Sequence, residues 1–264
     1  MTKLNTGLSG CSLELINDRV LRKYSPTTDY NSRLLSQADK QVVFDNRIYK
    51  NIDSPKVYDI QKNYFDMEYV AGKSFDEFFS IASVNDIEFV ISTLFDYFDT
   101  LISTARNIDA TKQILDKLDS LKEKSSYPKY IEFLRKYVED KRITVPHTFC
   151  HGDLTFANII FHKNRLFFID FLDCYVDTFL SDLVKLKQDL YHLWAVRNQD
   201  VYSNRIHQIY QYIWDKLEVR YESYLNEGFH ILDVINSLRI EPYLTSDSQR
   251  VILEGIVKST ELYA

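Results

Sequence analysis

A short segment of the sequence combines residue types that can bind a metal ion and move a proton. It runs from His151–Asp153 through Asn158 to Asp170. If Lys163–Asn164 forms a two-residue hairpin turn, the flanking strands place Asn158 and Asp170 together at the open end of the hairpin. Their oxygens are hard ligands that suit Mg²⁺, and an Asp in the loop just before the hairpin can orient and deprotonate a hydroxyl group.

Each of these residues has a simpler explanation when it is taken singly. An Asp at a strand end commonly caps a turn, and a His-Gly-Asp triplet can be ordinary loop sequence. The complete spacing, HGDxxxxN followed by IDF, is much harder to explain in that way. The spacing as a whole therefore favours the catalytic interpretation.

The runs HGDLTFANIIF and FFIDFLD resemble the catalytic segment of the aminoglycoside phosphotransferase and choline kinase-like family. Members of that family are small-molecule kinases with a protein-kinase-like fold. The resemblance implies that Asp153 is the catalytic base, that Asn158 holds a metal ion, and that Asp170 holds the metal bridging the ATP phosphates. It also implies that His151 and Gly152 shape the loop.

The rest of the chain is consistent with this fold. Residues 1–70 contain short alternating runs typical of strands around one helix, and residues 71–264 are mostly amphipathic helical segments. We therefore expect an α+β, two-lobed protein-kinase-like fold, with a small β-rich nucleotide-binding lobe at 1–70 and a larger α-helical catalytic and substrate-binding lobe at 71–264. Asp182, in SDLVKL, resembles the Asp that supports the catalytic loop in that family, and we expect a structural role for it.

Apolar periodicity predicts where the main helices lie. The predicted ranges are 29–50, 75–106, 111–122 and 129–141. Further helical segments follow from residue 182 onward, with a break near Gly228.

A kinase also needs a phosphate-binding loop and a cation on the strand that follows it. Gly7 and Gly10 mark such a loop between the first strands. Arg22 aligns with the phosphate-binding cation of the family, where an Arg looks more like the choline kinase branch. Lys23 points to the opposite strand face, and we expect it to be exposed to solvent.

The kinase fold pairs this cation with a Glu on a helix, and here the sequence departs from the family. The corresponding position is Gln41, which can accept a hydrogen bond from Arg22 but carries no charge. Either Asp39 or Asp45 replaces the Glu through a shifted register, or the contact is neutral.

Residues 65–72, FDMEYVAG, resemble the hinge between kinase lobes. In this interpretation the backbone groups of Glu68 and Val70 contact adenine, and Gly72 lets the chain turn away. Ile169 packs under the adenine or the phosphates.

Composition and charge exclude several other classes of protein. The 264 residues are 45% hydrophobic and 27% charged, with a net charge of −6, so neither disorder nor nucleic-acid binding is favoured. The three Cys are widely spaced without a CxxC pair, so we expect neither a disulfide framework nor a zinc site. No apolar run is long enough for a membrane span, and the first residues contain no hydrophobic signal core, so we expect a cytoplasmic protein.

The acceptor cannot be identified from the residues. Asp173 and Asp177 could make the mouth of the site anionic and favour a cationic amine or a polyhydroxylated sugar. A sugar or an amino alcohol such as choline or ethanolamine is favoured as the acceptor, and an aminoglycoside is an alternative. The sequence leaves open the preference for ATP or GTP and the oligomeric state. The alternatives are a catalytically inactive nucleotide-binding module and, less favoured, a metal-dependent phosphohydrolase.

Overall fold

The computed structural model describes residues 2–4, 10–196, 204–244 and 246–261. The chain forms two compact units. The first contains the residues up to Tyr97 together with His151–Asp173, and the second contains Phe98–Cys150 and the residues from Cys174 onward. The predicted catalytic segment therefore lies entirely in the first unit. The predicted lobe boundary near residue 70 stays a prediction.

The described elements confirm a β-rich N-terminal region followed by a mostly helical one. In chain order they are β1 (Thr2–Leu4), β2 (Ser12–Asn17), β3 (Val20–Tyr24), α1 (Asn31–Asp45), β4 (Ile52–Asp53), β5 (Val57–Gln61), β6 (Tyr64–Glu68), β7 (Lys73–Ser74), α2 (Phe75–Ile81), α3 (Val84–Ser103), β8 (Arg106–Asp109), α4 (Thr111–Lys122), α5 (Pro128–Lys141), β9 (Thr144–His147), β10 (Ile159–His162), β11 (Arg165–Phe168), α6 (Phe179–Leu190), α7 (Asn204–Tyr221), α8 (Glu227–Ile240) and α9 (Asp247–Glu261).

The first unit begins with an antiparallel sheet in the strand order β1-β2-β3-β6-β5. The turn between β2 and β3 is held by Asn17, whose Oδ1 accepts hydrogen bonds from the amides of Arg19 at 2.9 Å and Val20 at 3.0 Å. Helix α1 packs Leu34 and Ala38 against buried residues of this sheet. Burying an apolar side chain of Leu size stabilises the fold by about 1.5–3 kcal/mol, so this contact fixes the helix on the sheet.

The second sheet of this unit has the order β4-β11-β10-β7. Its central pair is the predicted hairpin, with Lys163 and Asn164 at the turn and φ values of 48° and 57°. Positive φ at both turn residues is typical of a type I′ turn. The register pairs Ile159 with Phe168 and His162 with Arg165, which confirms the predicted pairing.

Helix α2 holds this hairpin through aromatic contacts. The helix begins with a reciprocal cap between Ser74 and Glu77. Its Phe75 ring stacks on Phe156 with ring centroids 4.7 Å apart, and its Phe78 ring stacks on Phe161 at 3.9 Å. The loop before β10 and the hairpin itself are thereby fixed against one helix.

The predicted continuous helix over 75–106 is wrong. The chain leaves helical geometry at Ala82, with ψ 136°, and α3 begins where the amide of Ser83 donates to Asp86 Oδ2 at 2.8 Å and the amide of Asp86 donates to Ser83 Oγ at 3.3 Å. These two bonds cap a new helix start. Arg106, predicted to be helical, instead begins β8.

The second unit is mostly helical. Its β8 and β9 pair antiparallel, a short sheet that the apolar periodicity misses. The break predicted near Gly228 falls at Asn226, whose side chain accepts a hydrogen bond from the Gly228 amide at 3.0 Å and caps α8. In the described parts of the chain, no helix has both the length and the apolar character needed to cross a membrane.

Gly72 is required by close packing and gives a test of this fold. A Cβ there would lie 2.3 Å from Ile160 Cγ2 and 2.7 Å from the Phe161 carbonyl oxygen of β10. We expect Gly72→Ala to lower the free energy of unfolding by about 1–3 kcal/mol, because such overpacking forces the backbone to move. Chemical denaturation followed by circular dichroism measures the change.

The matched control is Gly255→Ala in α9, where no described heavy atom lies within 4 Å of the new Cβ. Alanine favours helix over glycine, so this variant should gain about 0.5–1 kcal/mol. Equal effects of the two substitutions would contradict the close approach of Gly72 to β10.

Candidate active site

The open end of the hairpin brings Asn158 and Asp170 together, as predicted. Asn158 ends a short 3₁₀ turn, Phe156–Asn158, and its carbonyl oxygen accepts the amide of Ile169 at 3.0 Å. Asp170 follows with φ 60°, a left-handed conformation that Asp adopts more readily than most residues. This backbone contact places Asn158 and Asp170 at the same end of the hairpin.

The Asn158 side chain also fixes Asp153. Its Nδ2 donates to the Asp153 carbonyl oxygen at 2.8 Å and to Asp153 Oδ2 at 3.0 Å. Since the amide nitrogen faces Asp153, Asn158 Oδ1 is the atom that can serve as a metal ligand. The Asn158 side chain therefore orients the Asp153 carboxylate and leaves its own amide oxygen for another partner.

His151 is the link between the loop and the second strand of the hairpin. Its side chain is buried, and its Nε2 donates to the Ile169 carbonyl oxygen at 2.9 Å. Its Nδ1 accepts the amide of Asp153 at 3.2 Å. Burial lowers the pKa of His151 to about 4, so the ring is neutral near pH 7 and acts as a spacer between Asp153 and Ile169. Gly152, between His151 and Asp153 in the chain, has a φ of 91°, a backbone conformation that favours glycine.

The predicted exposure of Lys23 is wrong. Lys23 is 3% exposed, and its Nζ lies 2.9 Å from Asp170 Oδ1 and 2.9 Å from Gln37 Oε1. Side chains alternate along β3, so Lys23 shares the face of Leu21, which packs on the core beneath α1. The two-residue spacing between Leu21 and Lys23 is the sequence signal that could have identified Lys23 as a buried residue facing α1.

Arg22 lies on the opposite face of β3 and is held there. Its guanidinium forms two hydrogen bonds with Asp66, at 2.6 and 2.8 Å, and lies 3.9 Å from the centroid of the Tyr64 ring. The hydrogen bond with Asp66 raises the pKa of Arg22 above its ordinary value. Because β3 turns Lys23 and not Arg22 toward Asp170, the phosphate-binding role of Arg22 stays a prediction that these contacts do not favour.

The expected helix partner also needs correction. Gln41 does not contact the cation, since its Nε2 donates to the Pro55 carbonyl oxygen at 2.5 Å. Gln37, one turn earlier on α1, accepts the bond from Lys23. Neither Asp39 nor Asp45 substitutes for it, because both are exposed. Lys23 therefore has an uncharged partner on α1, but that partner is Gln37, and neither of the two alternatives that the sequence left open for Arg22 is found.

Helix α1 also holds the chain that follows Asp170. Lys40 Nζ donates to the Leu172 carbonyl oxygen at 2.6 Å, and Ser36 Oγ donates to the Asp173 carboxylate at 2.7 Å. Together with Gln37, these residues lie on successive turns of one face. The segment that carries Asp170 is thus fixed by α1 as well as by the hairpin.

The predicted nucleotide-binding backbone is only partly described. Gly7 lies outside the described residues, and Gly10 has φ 74°. The Glu68 amide donates to the Lys56 carbonyl oxygen at 2.8 Å, so an adenine contact at Glu68 would need its carbonyl. The Gly72 amide donates to the Val70 carbonyl oxygen at 3.0 Å, so a contact at Val70 would use its amide.

The remaining predicted residues divide between the two units. Asp173 belongs to the first unit and Asp177 to the second, where its carboxylate contacts Cys150 Sγ at 3.4 Å. Asp182 is fully buried in the first turn of α6. Their predicted roles stay predictions.

Comparison with known proteins identifies the family. The sequence pattern of the phosphotransferase enzyme family (APH) matches residues 15–220, most of the chain. The chain belongs to this family. It is a small-molecule kinase, and the resemblance, the enzyme class and the protein-kinase-like fold expected from the sequence are confirmed.

Solved structures agree on the fold. The ternary complex of the aminoglycoside phosphotransferase APH(2″)-IIa with streptomycin and ATP is 17% identical with a TM-score of 0.57, over 98% of this chain and 90% of that chain. A putative fructosamine-3-kinase from Haemophilus somnus is 17% identical with a TM-score of 0.58, over 98% and 90%. A glucosamine kinase is 11% identical with a TM-score of 0.53, over 98% and 77%. No curated protein sequence matches the chain.

The buried His151 predicts how stability depends on pH. An unfolded His binds a proton below about pH 6.5, whereas the ring in the folded chain stays neutral to about pH 4. Between these values the unfolded state binds more protons, so the free energy of unfolding should fall as the pH is lowered, with about 3 kcal/mol from this residue. Denaturant unfolding at a series of pH values measures the slope.

The variant His151→Gln should show a shallower slope over this pH range, whatever its stability at neutral pH. His147→Gln, at an exposed position, is the matched control and should change the slope less than His151→Gln does. Identical slopes for the parent and His151→Gln would show that the His151 ring is not held neutral.

Proposed function

We propose that the protein transfers the γ-phosphoryl group of ATP, with Mg²⁺, to a hydroxyl group of a small molecule. The observation that carries the proposal is the placement of Asp153, Asn158 and Asp170 around one hairpin end, with Lys23 in contact with Asp170. Such a site works mainly by positioning and by electrostatic stabilisation.

The donor set at the hairpin end fits Mg²⁺. Asn158 Oδ1 and the Asp170 carboxylate are neutral and charged oxygens, the ligands that this ion prefers. The Asp170 side chain is 44% exposed, so its second oxygen can be reached by a nucleotide-bound ion. When bound, Mg²⁺ would neutralise the charge on the phosphates.

Lys23 supports the phosphate side of the site. Its ammonium carries three N–H donors, of which Gln37 and Asp170 engage two, leaving one for a phosphate oxygen. Because Gln37 is uncharged, Asp170 supplies the only carboxylate that Lys23 contacts within hydrogen-bond distance among the described residues. We infer that Lys23 binds the α- or β-phosphate and keeps Asp170 in its metal-binding orientation.

Asp153 supports the acceptor side. Asn158 Nδ2 orients its carboxylate, and the His151 ring holds its backbone amide. A hydroxyl that donates to the Asp153 carboxylate would be aligned toward the γ-phosphorus, and Asp153 would receive its proton. Since His151 fixes the Asp153 backbone and Asn158 fixes its side chain, the loop geometry is set before the acceptor binds.

The remaining nucleotide contacts follow the family. We propose that the Gly7–Gly10 loop covers the phosphates, that the Glu68 carbonyl and the Val70 amide contact adenine, and that Ile169 packs beneath the nucleotide. Ile169 fits this role because its amide and its carbonyl are both fixed, by Asn158 and His151.

For the acceptor we favour a sugar or an amino alcohol, with an aminoglycoside as an alternative. The related structures include proteins solved with streptomycin or named for glucosamine or fructosamine as substrates, which are compounds that combine amines with hydroxyls. Asp173 and Asp177 stay candidates for contacts with a cationic amine. An inactive nucleotide-binding module is the second candidate, favoured by two uncharged residues of α1: Gln41 at the position aligned with the family Glu, and Gln37 beside Lys23.

The test is ADP release with Mg-ATP over a panel of sugars, amino alcohols and aminoglycosides, comparing the parent with Asp153→Asn. We expect one acceptor to raise the parent rate well above ATP hydrolysis alone. Asp153→Asn should lower kcat with that acceptor by about 10²–10⁴, the usual contribution of a general base, while nucleotide binding is retained.

Asp173→Asn is the matched carboxylate control in the same unit and should leave kcat within about tenfold of the parent, since a binding contact acts mainly on KM. A parent that binds ATP but transfers to no acceptor, with Asp153→Asn indistinguishable from it, would favour the inactive module.

A further inference from the structure

Two cysteines that are far apart in the sequence meet a carboxylate in the second unit. Cys150 Sγ lies 3.0 Å from Cys174 Sγ and 3.4 Å from Asp177 Oδ1. All three ligand atoms lie within 4.8 Å of one another. The wide spacing of the cysteines predicted no zinc site. The spacing does not prevent this cluster, because the two ends of segment 151–173 lie close together, with the Leu172 amide donating to the His151 carbonyl oxygen at 3.0 Å.

The cluster is held by its own backbone contacts. The Asp177 carbonyl oxygen accepts the Thr148 amide at 3.1 Å and His147 Nδ1 at 2.8 Å, so Asp177 is fixed beside the residues that precede Cys150. Cys150 is buried, Cys174 is half-buried and Asp177 is exposed. The three donors thus form a site that is closed on one side and open to solvent on the other.

We propose that Cys150, Cys174 and Asp177 bind a thiolate-preferring divalent cation, Zn²⁺ in the first instance. Two sulfurs and one carboxylate oxygen are ligands that Zn²⁺ takes in a tetrahedral site, and water at the open side completes the four. Binding converts both thiols to thiolates, so two protons leave for each ion bound. Zinc–sulfur bonds of about 2.3 Å require the two sulfurs to move apart by less than about 1 Å.

The two cysteines flank the predicted catalytic segment, so a bound ion would affect that segment. The chain passes from the second unit to the first between Cys150 and His151, and returns between Asp173 and Cys174. An ion held by both cysteines fastens the two ends of the segment that carries Asp153, Asn158 and Asp170. In this proposal Asp177 binds the ion, and only Asp173 remains for the acceptor.

The test uses the full chain, reduced with a phosphine and freed of metal by a chelator. Zn²⁺ is titrated against a chromophoric chelator, and Co²⁺ absorption reports thiolate ligation. We expect one Zn²⁺ for each chain, thiolate-to-Co²⁺ charge-transfer absorption, and release of two protons. Cys174→Ser and Asp177→Asn should each weaken binding by at least about tenfold, the loss that even outer contacts of metal ligands produce.

Two variants serve as matched controls. Cys11→Ser removes the cysteine of the first unit, and Asp170→Asn removes the proposed Mg²⁺ ligand, so both should bind Zn²⁺ as the parent does. Asp177 is exposed, so a loss of binding in Asp177→Asn cannot come from a collapsed core.

The proposal is overturned if the reduced chain binds no Zn²⁺, or if Cys174→Ser and Asp177→Asn bind it as tightly as the parent. It is also overturned if mass spectrometry of the unreduced protein finds Cys150 and Cys174 joined in a disulfide and the reduced form then takes up no ion. That result would assign the pair to thiol–disulfide exchange instead.

Discussion

The ion pair between Lys23 and Asp170 is the contact on which the site depends, because it joins the first sheet to the end of the hairpin. A buried ammonium is costly unless it is paired and hydrogen-bonded, and here Asp170 and Gln37 supply both partners. The pairing therefore fixes β3, α1 and the turn after β11 relative to one another within the first unit. His151 completes the arrangement by tying the Asp153 loop to Ile169.

The parts of the site that the sequence predicts correctly are set by local rules. A two-residue turn at Lys163–Asn164 determines the strand register, and the register places Asn158 opposite Ile169, the residue before Asp170. No contact distant in the sequence is needed for that inference. The same holds for α4, whose predicted range matches the structure, because its apolar face repeats without interruption.

The parts that the sequence did not predict depend on contacts between distant residues. Arg22 and Lys23 are both cations, so residue type alone does not reveal which of them faces α1. The alternation of side chains along β3 places Lys23 on the same face as Leu21, whereas the alignment with the family selects Arg22. Gln37 and Gln41 lie one turn apart on the same helical face, so periodicity cannot separate them. The contact between Cys150 and Cys174 depends on how the segment between them folds, which the sequence pattern does not reveal.

Nucleotide affinity is the most direct test of whether Lys23 and Asp170 form one nucleotide site. Binding of a fluorescent ATP analogue with Mg²⁺ should be compared for the parent, Lys23→Met and Arg22→Met, each shown to be folded by circular dichroism. We expect Lys23→Met to raise Kd by about 10- to 100-fold, the loss of a charge-assisted hydrogen bond, and Arg22→Met to stay within about twofold of the parent. An unchanged Kd for folded Lys23→Met, or a larger loss in Arg22→Met, would contradict this expectation.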